Sequence, residues 1–232
     1  MASQIQEYHS PIDWKSAQLI LSRKELRASP LFLSPRPQAP DNWPAEVIVD
    51  LSKLGLDYIK EEGEFIKIGI LTSLQELVDS SLLKSKFNGI LSCCADLSGT
   101  LGLRHYANLG GLLYDPAASQ ETALALLALD AQLLIRTLSS ADKVIDLADI
   151  LSGKAALQPG EIPFEVRISR SLPGNLKLER VARTPRDLAI VATVVRVEEK
   201  DGLLCEVRVA ISGAFSKSQR IDSVEKQVCG HT

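Results

Sequence analysis

Gly110 and Gly111 stand directly after Ala107-Asn108-Leu109 and shortly before an expected helix. A diglycine there leaves backbone N–H groups with no Cβ in the way, which suits the close approach of an anion such as a pyrophosphate. It suits a plain turn as well. No nucleophile elbow, Walker loop, dinucleotide-type GxGxxG or HExxH occurs in the 232 residues, so the common hydrolase, nucleoside triphosphatase, Rossmann and zincin chemistries lack their starting residues. The cysteines at 93, 94, 205 and 229 and the histidines at 9, 105 and 231 do not have the spacing of a zinc or iron–sulfur ligand set. Cys93 and Cys94 are expected to serve as small buried hydrophobes.

The elements that must hold this segment follow from periodicity and punctuation. Asp13 can cap a helix over 13–23. Five prolines (30, 35, 37, 40 and 44) then make an extended irregular loop around a short strand expected at Leu31-Phe32-Leu33. Residues 46–51 read as a short buried strand. Residues 56–60 and 65–70 read as a hairpin, followed by a helix from 74 that Thr72 or Ser73 caps. Helices are expected over 86–97, closed by Gly99, over 120–129 after Ser119, and over 146–151 ending at Gly153.

Strands dominate from there, at 132–137, 164–169 and 177–183. Two valine-rich runs, 189–198 and 203–212, flank Asp201-Gly202, a pair suited to positive φ and hence to a tight hairpin. A last helix is expected over 223–228. Hairpins with intervening helices predict an α+β fold with largely antiparallel sheets and a boundary near 160–175.

Composition narrows the function. The chain is 45% hydrophobic and 24% charged, an ordinary globular balance. With 26 Lys and Arg against 29 Asp and Glu, the net charge of −3 gives no electrostatic reason to expect nucleic acid or an anionic membrane. The longest apolar run, 123–129, is far short of the roughly 20 residues of a spanning helix. Residues 1–10 lack the basic, then apolar, pattern of a secretion signal, so a cytoplasmic location is expected.

Arg104-His105-Tyr106-Ala107-Asn108-Leu109-Gly110-Gly111-Leu112-Leu113, then Asp115-Pro116-Ala117-Ala118-Ser119, then Leu126-Leu127-Ala128-Leu129-Asp130-Ala131, resembles the central motif of the FAD-binding domain of the molybdenum hydroxylases. That family includes xanthine dehydrogenase and the medium subunit of aerobic carbon monoxide dehydrogenase. Its pattern reads approximately R-N-x-A-T-I-G-G-N-L, a Pro/Ser/Asp-containing loop, then L-L-A-L-D-A. Glu7-Tyr8-His9-Ser10-Pro11, Val49-Asp50-Leu51, Ile68-Gly69-Ile70-Leu71-Thr72, Leu157-Gln158-Pro159-Gly160-Glu161-Ile162 and Arg183-Thr184-Pro185-Arg186-Asp187-Leu188-Ala189 fit the flanking pattern in order, as do the segments 209–213 and 225–230.

The resemblance implies a two-subdomain FAD-binding body of the PCMH type over 1–165, with a smaller part at about 1–55 and a larger one at about 56–165. A shortened C-terminal domain of the family follows over 166–232. It implies an oxidoreductase flavoprotein subunit that takes electrons from iron–sulfur clusters and passes them to an external acceptor. Its partners would be a molybdopterin-binding large subunit and an iron–sulfur small subunit. The flavin supplies the redox chemistry and the protein supplies position, so no general acid or base is assigned.

Carried over by position, Gly110 and Gly111 would approach the FAD pyrophosphate. Asn108 would stand where the family has a phosphate-facing Thr, and Ser34 lies in the place of the first pyrophosphate loop. That first loop reads A-G-G-T-D in the family and Leu31-Phe32-Leu33-Ser34-Pro35 here. Both of its glycines are replaced, and proline has no N–H to offer a phosphate. Leu112 replaces the Asn of G-G-N-L, and Gln120 stands in the place of a family Asp. Arg104 is expected to tie down backbone carbonyls, His105 to be a surface or packing residue, and Asp187 a turn residue. Two functions stay open: an FAD-carrying electron relay, and a flavin-free homologue acting as a structural or assembly protein.

Overall fold

The computed structural model describes residues 5–23, 25–35, 45–115, 120–138, 141–185, 187–215 and 217–231. Pro37, Pro40, Pro44 and Ser119 lie outside them.

The chain opens with β1 (Glu7–His9), α1 (Trp14–Leu21), β2 (Ala28–Pro30) and β3 (Val47–Val49). The three strands make a small parallel sheet in the order β1-β3-β2. All of β3 is buried, as its unbroken apolar sequence requires of a central parallel strand. Asp13 caps α1, accepting the Ser16 N–H at 2.8 Å. The strand expected at 31–33 is instead β2, three residues earlier. Leu31 still donates to the Val49 carbonyl (2.8 Å), where β3 ends, and residues 32–34 continue beyond the sheet toward the 108–111 segment.

A five-stranded sheet follows, built from β4 (Ile59–Glu62), β5 (Phe65–Gly69), β6 (Gln132–Arg136), β7 (Lys143–Asp146) and β8 (Ile162–Ser169) in the order β4-β5-β8-β6-β7. Every neighbouring pair is antiparallel. Between β5 and β6 run α2 (Leu74–Asp79), α3 (Ser81–Ser85), α4 (Ile90–Leu97), α5 (Leu101–Tyr106), α6 (Gly111–Tyr114) and α7 (Gln120–Ala128), and α8 (Leu147–Ser152) follows β7. Ser73 and Glu76 form a full capping box on α2.

The helix expected over 86–97 begins only at Ile90, because Phe87 and Asn88 hold positive φ (52° and 56°) and break the turn before it. Cys94 is buried, but Cys93 is exposed, which corrects the pairing of both as core residues. Adjacent helical positions point about 100° apart, so one apolar stripe does not take both.

The last sheet comprises β9 (Asn175–Val181), β10 (Val191–Lys200), β11 (Leu203–Ser212) and β12 (Gln219–Arg220), ordered β12-β11-β10-β9 and antiparallel, and is followed by α9 (Asp222–Val228). Asp201 and Gly202 form the tight turn with φ of 54° and 78°. This sheet is locked to α7 by charge. Arg196, 1% exposed, donates to the Ala128 carbonyl and to the carboxylates of Asp130 and Glu206. On the same joint Glu121 of α7 pairs with Arg180 of β9 at 3.1 Å.

Candidate cofactor site

The segment that carries the diglycine is placed by its backbone. Leu109 donates to the Thr72 carbonyl (2.9 Å) and Gly110 to the Ile70 carbonyl (2.8 Å), and Asn108 bridges to Ser73, so residues 108–110 lie beside the chain that leaves β5. Thr72 is braced in turn: its hydroxyl donates to the Tyr58 carbonyl and accepts the Tyr58 N–H. The Tyr58 hydroxyl donates to Glu165 at 2.7 Å. Burial, then this carboxylate, pushes the phenol well above its ordinary range and keeps it a donor. Arg104, 7% exposed, binds the carbonyls of Asp96 and Gly99 and the Gln75 side chain, the backbone-tying role expected for it. His105 is exposed.

The residues after β2 fold onto this segment. Asn108 donates its N–H to the Leu33 carbonyl (2.9 Å), and its Oδ1 accepts the N–H groups of Leu33 and Gly111 (3.2 Å each). Ser34 Oγ donates to Asp115 at 3.2 Å. Ser34, Asn108, Gly110 and Gly111 are thus brought together in one place, as their sequence positions alone do not reveal. Their polar groups, however, are taken by the chain itself. Gly110 N–H is taken by Ile70, and Gly111 N–H by the carbonyl and side chain of Asn108.

Space is equally closed. A Cβ on Gly110 would stand 2.6 Å from Cγ and Cδ1 of the Phe32 ring, and one on Gly111 would stand 2.3 Å from the Leu33 carbonyl oxygen. Phe32 itself is 4% exposed. The residue that sequence reasoning passed over is therefore Phe32, whose only signal was a large aromatic at a position expected to face a phosphate. Open space exists nearby as a groove of about 800 Å³ between Leu21, Arg23, Arg27 and Pro30 on one side and residues 155–161 on the other, with Leu113 also lining it. The segment 157–161 that resembles the family lines this groove.

The sequence profile described as "FAD binding domain in molybdopterin dehydrogenase" matches residues 40–170, more than half of the chain. The chain belongs to this family. Among curated family members it is 22% identical over 188 residues to the glyceraldehyde dehydrogenase medium chain of Sulfolobus acidocaldarius, covering 80% of this chain and 66% of that one. It is 26% identical over 187 residues to the nicotine 6-hydroxylase medium subunit of Paenarthrobacter nicotinovorans, covering 79% and 65%. It thus spans just under two thirds of the length of these relatives.

The fold is that of the family's solved structures. Reconstituted CO dehydrogenase from Oligotropha carboxidovorans superposes with a TM-score of 0.81 at 22% identity, covering 100% of this chain and 82% of that one. Quinoline 2-oxidoreductase from Pseudomonas putida 86 gives 0.81 at 17%, covering 99% and 81%. The family match begins at residue 40 and leaves the 31–35 loop outside it.

FAD is the cofactor for which the family is named; at the diglycine, where the sequence resemblance would put its pyrophosphate, the structure offers neither a free glycine N–H nor room beside the glycines. A phosphate there needs free N–H donors and room against the glycines. Here the N–H groups of both glycines are occupied, and Phe32 and Leu33 fill the room. Helix α6, at four residues, is too short to add a useful dipole. Among the described residues no group of three or more His, Cys, Asp or Glu is placed to hold a metal, and no helix is long and apolar enough to cross a membrane.

Proposed function

We propose that this chain takes the medium-subunit place in a molybdopterin-dependent hydroxylase-type oxidoreductase, beside a molybdopterin-binding large subunit and an iron–sulfur small subunit, and serves there as a structural or assembly member. Family membership and the shared fold support the place in the assembly. The observation that carries the structural role is the packing of residues 32–34 onto 108–111, which leaves the expected pyrophosphate position filled by the chain itself. In this reading residues 1–165 are the FAD-binding-type body and 166–232 the smaller C-terminal unit, with β8 running to Ser169 before the last sheet begins.

The test is purification of the protein from its native source under mild conditions. Molybdenum, iron and two further subunits that elute with the chain, with flavin well below one per chain, are the expected result. A chain that elutes alone overturns the assignment.

A second reading, electron relay through FAD, draws on the retained diglycine and on the family match that covers it. One FAD released per chain on denaturation would establish that reading in place of the first.

A further inference from the structure

We infer that Phe32 is a built-in occupant of the diglycine seat, so that the joint between the 31–34 segment and the 107–112 segment is locked by the chain and not by a ligand. The inference rests on the reading of this chain as a flavin-free member of its family and gives that reading a specific device.

Each glycine is required for an internal reason. The face of Gly110 takes the Phe32 ring, with Cγ and Cδ1 at 2.6 Å and Cδ2 at 3.0 Å from where a Cβ would stand. The face of Gly111 takes backbone, with Leu33 O at 2.3 Å and Ser34 Cα at 2.9 Å from that position. The same joint closes its polar groups. Leu33 and Asn108 exchange two hydrogen bonds, Gly111 N–H falls on Asn108, and the Ser34 hydroxyl is held by Asp115. A pyrophosphate entering here would have to expel a buried aromatic ring and break hydrogen bonds that the chain already satisfies, and neither exchange is favourable. The diglycine is thus retained because an aromatic side chain and a backbone turn have taken the positions at which a ligand would otherwise demand it.

The two glycines make the inference testable, because one meets a side chain and the other meets backbone. In the full-length protein Gly110→Ala is expected to lower Tm by roughly 2–12 °C, the cost of overpacking a filled site. In a Phe32→Ala background the same change should cost almost nothing further, since the ring it strikes is gone. Gly111→Ala should be equally damaging in both backgrounds, because truncating Phe32 does not move the Leu33 carbonyl. Equal losses for Gly110→Ala with and without the ring would overturn the inference.

A ligand titration of the unaltered protein tests it without any variant. FAD, ADP and inorganic pyrophosphate are each expected to leave Tm unmoved, while a saturable rise with any of them sinks the built-in occupant, since a ligand that binds the folded state must stabilise it. The outcomes separate from those of the proposed function. Loss of the partner subunits would end that proposal and leave this seat standing, whereas ligand-induced stabilisation would end this one while the association survived.

Discussion

Asp130 receives the guanidinium of Arg196 on one carboxylate oxygen and that of Arg220 on the other, while Arg208 reaches both. Its backbone sits at φ 48°, a left-handed position that Asp and Asn tolerate better than other side chains. One residue at the end of α7 therefore fastens β10, β11 and β12 to the helical layer.

Asp130→Asn keeps the backbone preference and removes the charge that three guanidinium groups share, while each of them keeps a second carboxylate, Glu206 or Glu225. It is expected to cost about 1.5–3 kcal/mol, the range for hydrogen bonds to charged groups, and denaturant unfolding measures it. A loss below about 1 kcal/mol would place the strength of this joint in apolar packing instead.

Glu225 gives a pH dependence. Burial alone would raise its carboxyl, but the Arg220 guanidinium and the Val209 N–H outweigh it and hold the group below the ordinary glutamate range. A depressed carboxyl contributes stability that is present above the unfolded-state value and is lost as pH falls through the folded one. Unfolding midpoints from pH 7 down to pH 3 should therefore fall less steeply in Glu225→Gln than in the unaltered protein, and superimposable slopes would exclude this group as a source of acid lability.

Ser73→Ala removes the side chain that accepts the Glu76 N–H and donates to the Glu76 carboxylate. About 1 kcal/mol of stability should go with it. Because Asn108 bridges to Ser73 through the backbone, hydrogen exchange at Leu109 and Gly110 should quicken in the same variant, and unchanged exchange there would separate the cap from the diglycine segment.

Thiol chemistry distinguishes the adjacent cysteines. Cys93 and Cys205 are exposed, whereas burial pushes the Cys94 thiol well above its ordinary range. A disulfide reagent should modify Cys93 and Cys205 in the native protein and Cys94 only on unfolding. Labelling of Cys94 as fast as Cys93 would mean that α4 opens readily.

Local chemistry was legible where it is self-contained. Asp13, Ser73, Gly153 and Asp201-Gly202 each end or turn an element within a few residues, and each does so in the structure. β7 escaped because its four residues are mostly exposed and carry no alternation strong enough to read. α5 and α6 escaped because Gly102 and Gly111 lie inside them, where glycine argues against a helix. At the candidate site the family resemblance singles out Ser34, Asn108, Gly110 and Gly111, but the folding of Leu33 onto Asn108 joins residues 75 apart, and no local pattern encodes that closure.

The five-stranded sheet has a further consequence during synthesis. β8 lies between β5 and β6 in space yet follows both in the chain, pairing Ile66 with Ile168 and Leu133 with Val166. On the ribosome β4–β5 and β6–β7 emerge as two unconnected hairpins, each presenting one unpaired apolar edge until residues 162–169 are translated. Such edges are where nascent chains associate wrongly or are held by chaperones. The last strand to arrive is the one that makes the body a single sheet, so a ribosome stalled before residue 162 leaves a chain that cannot complete its fold.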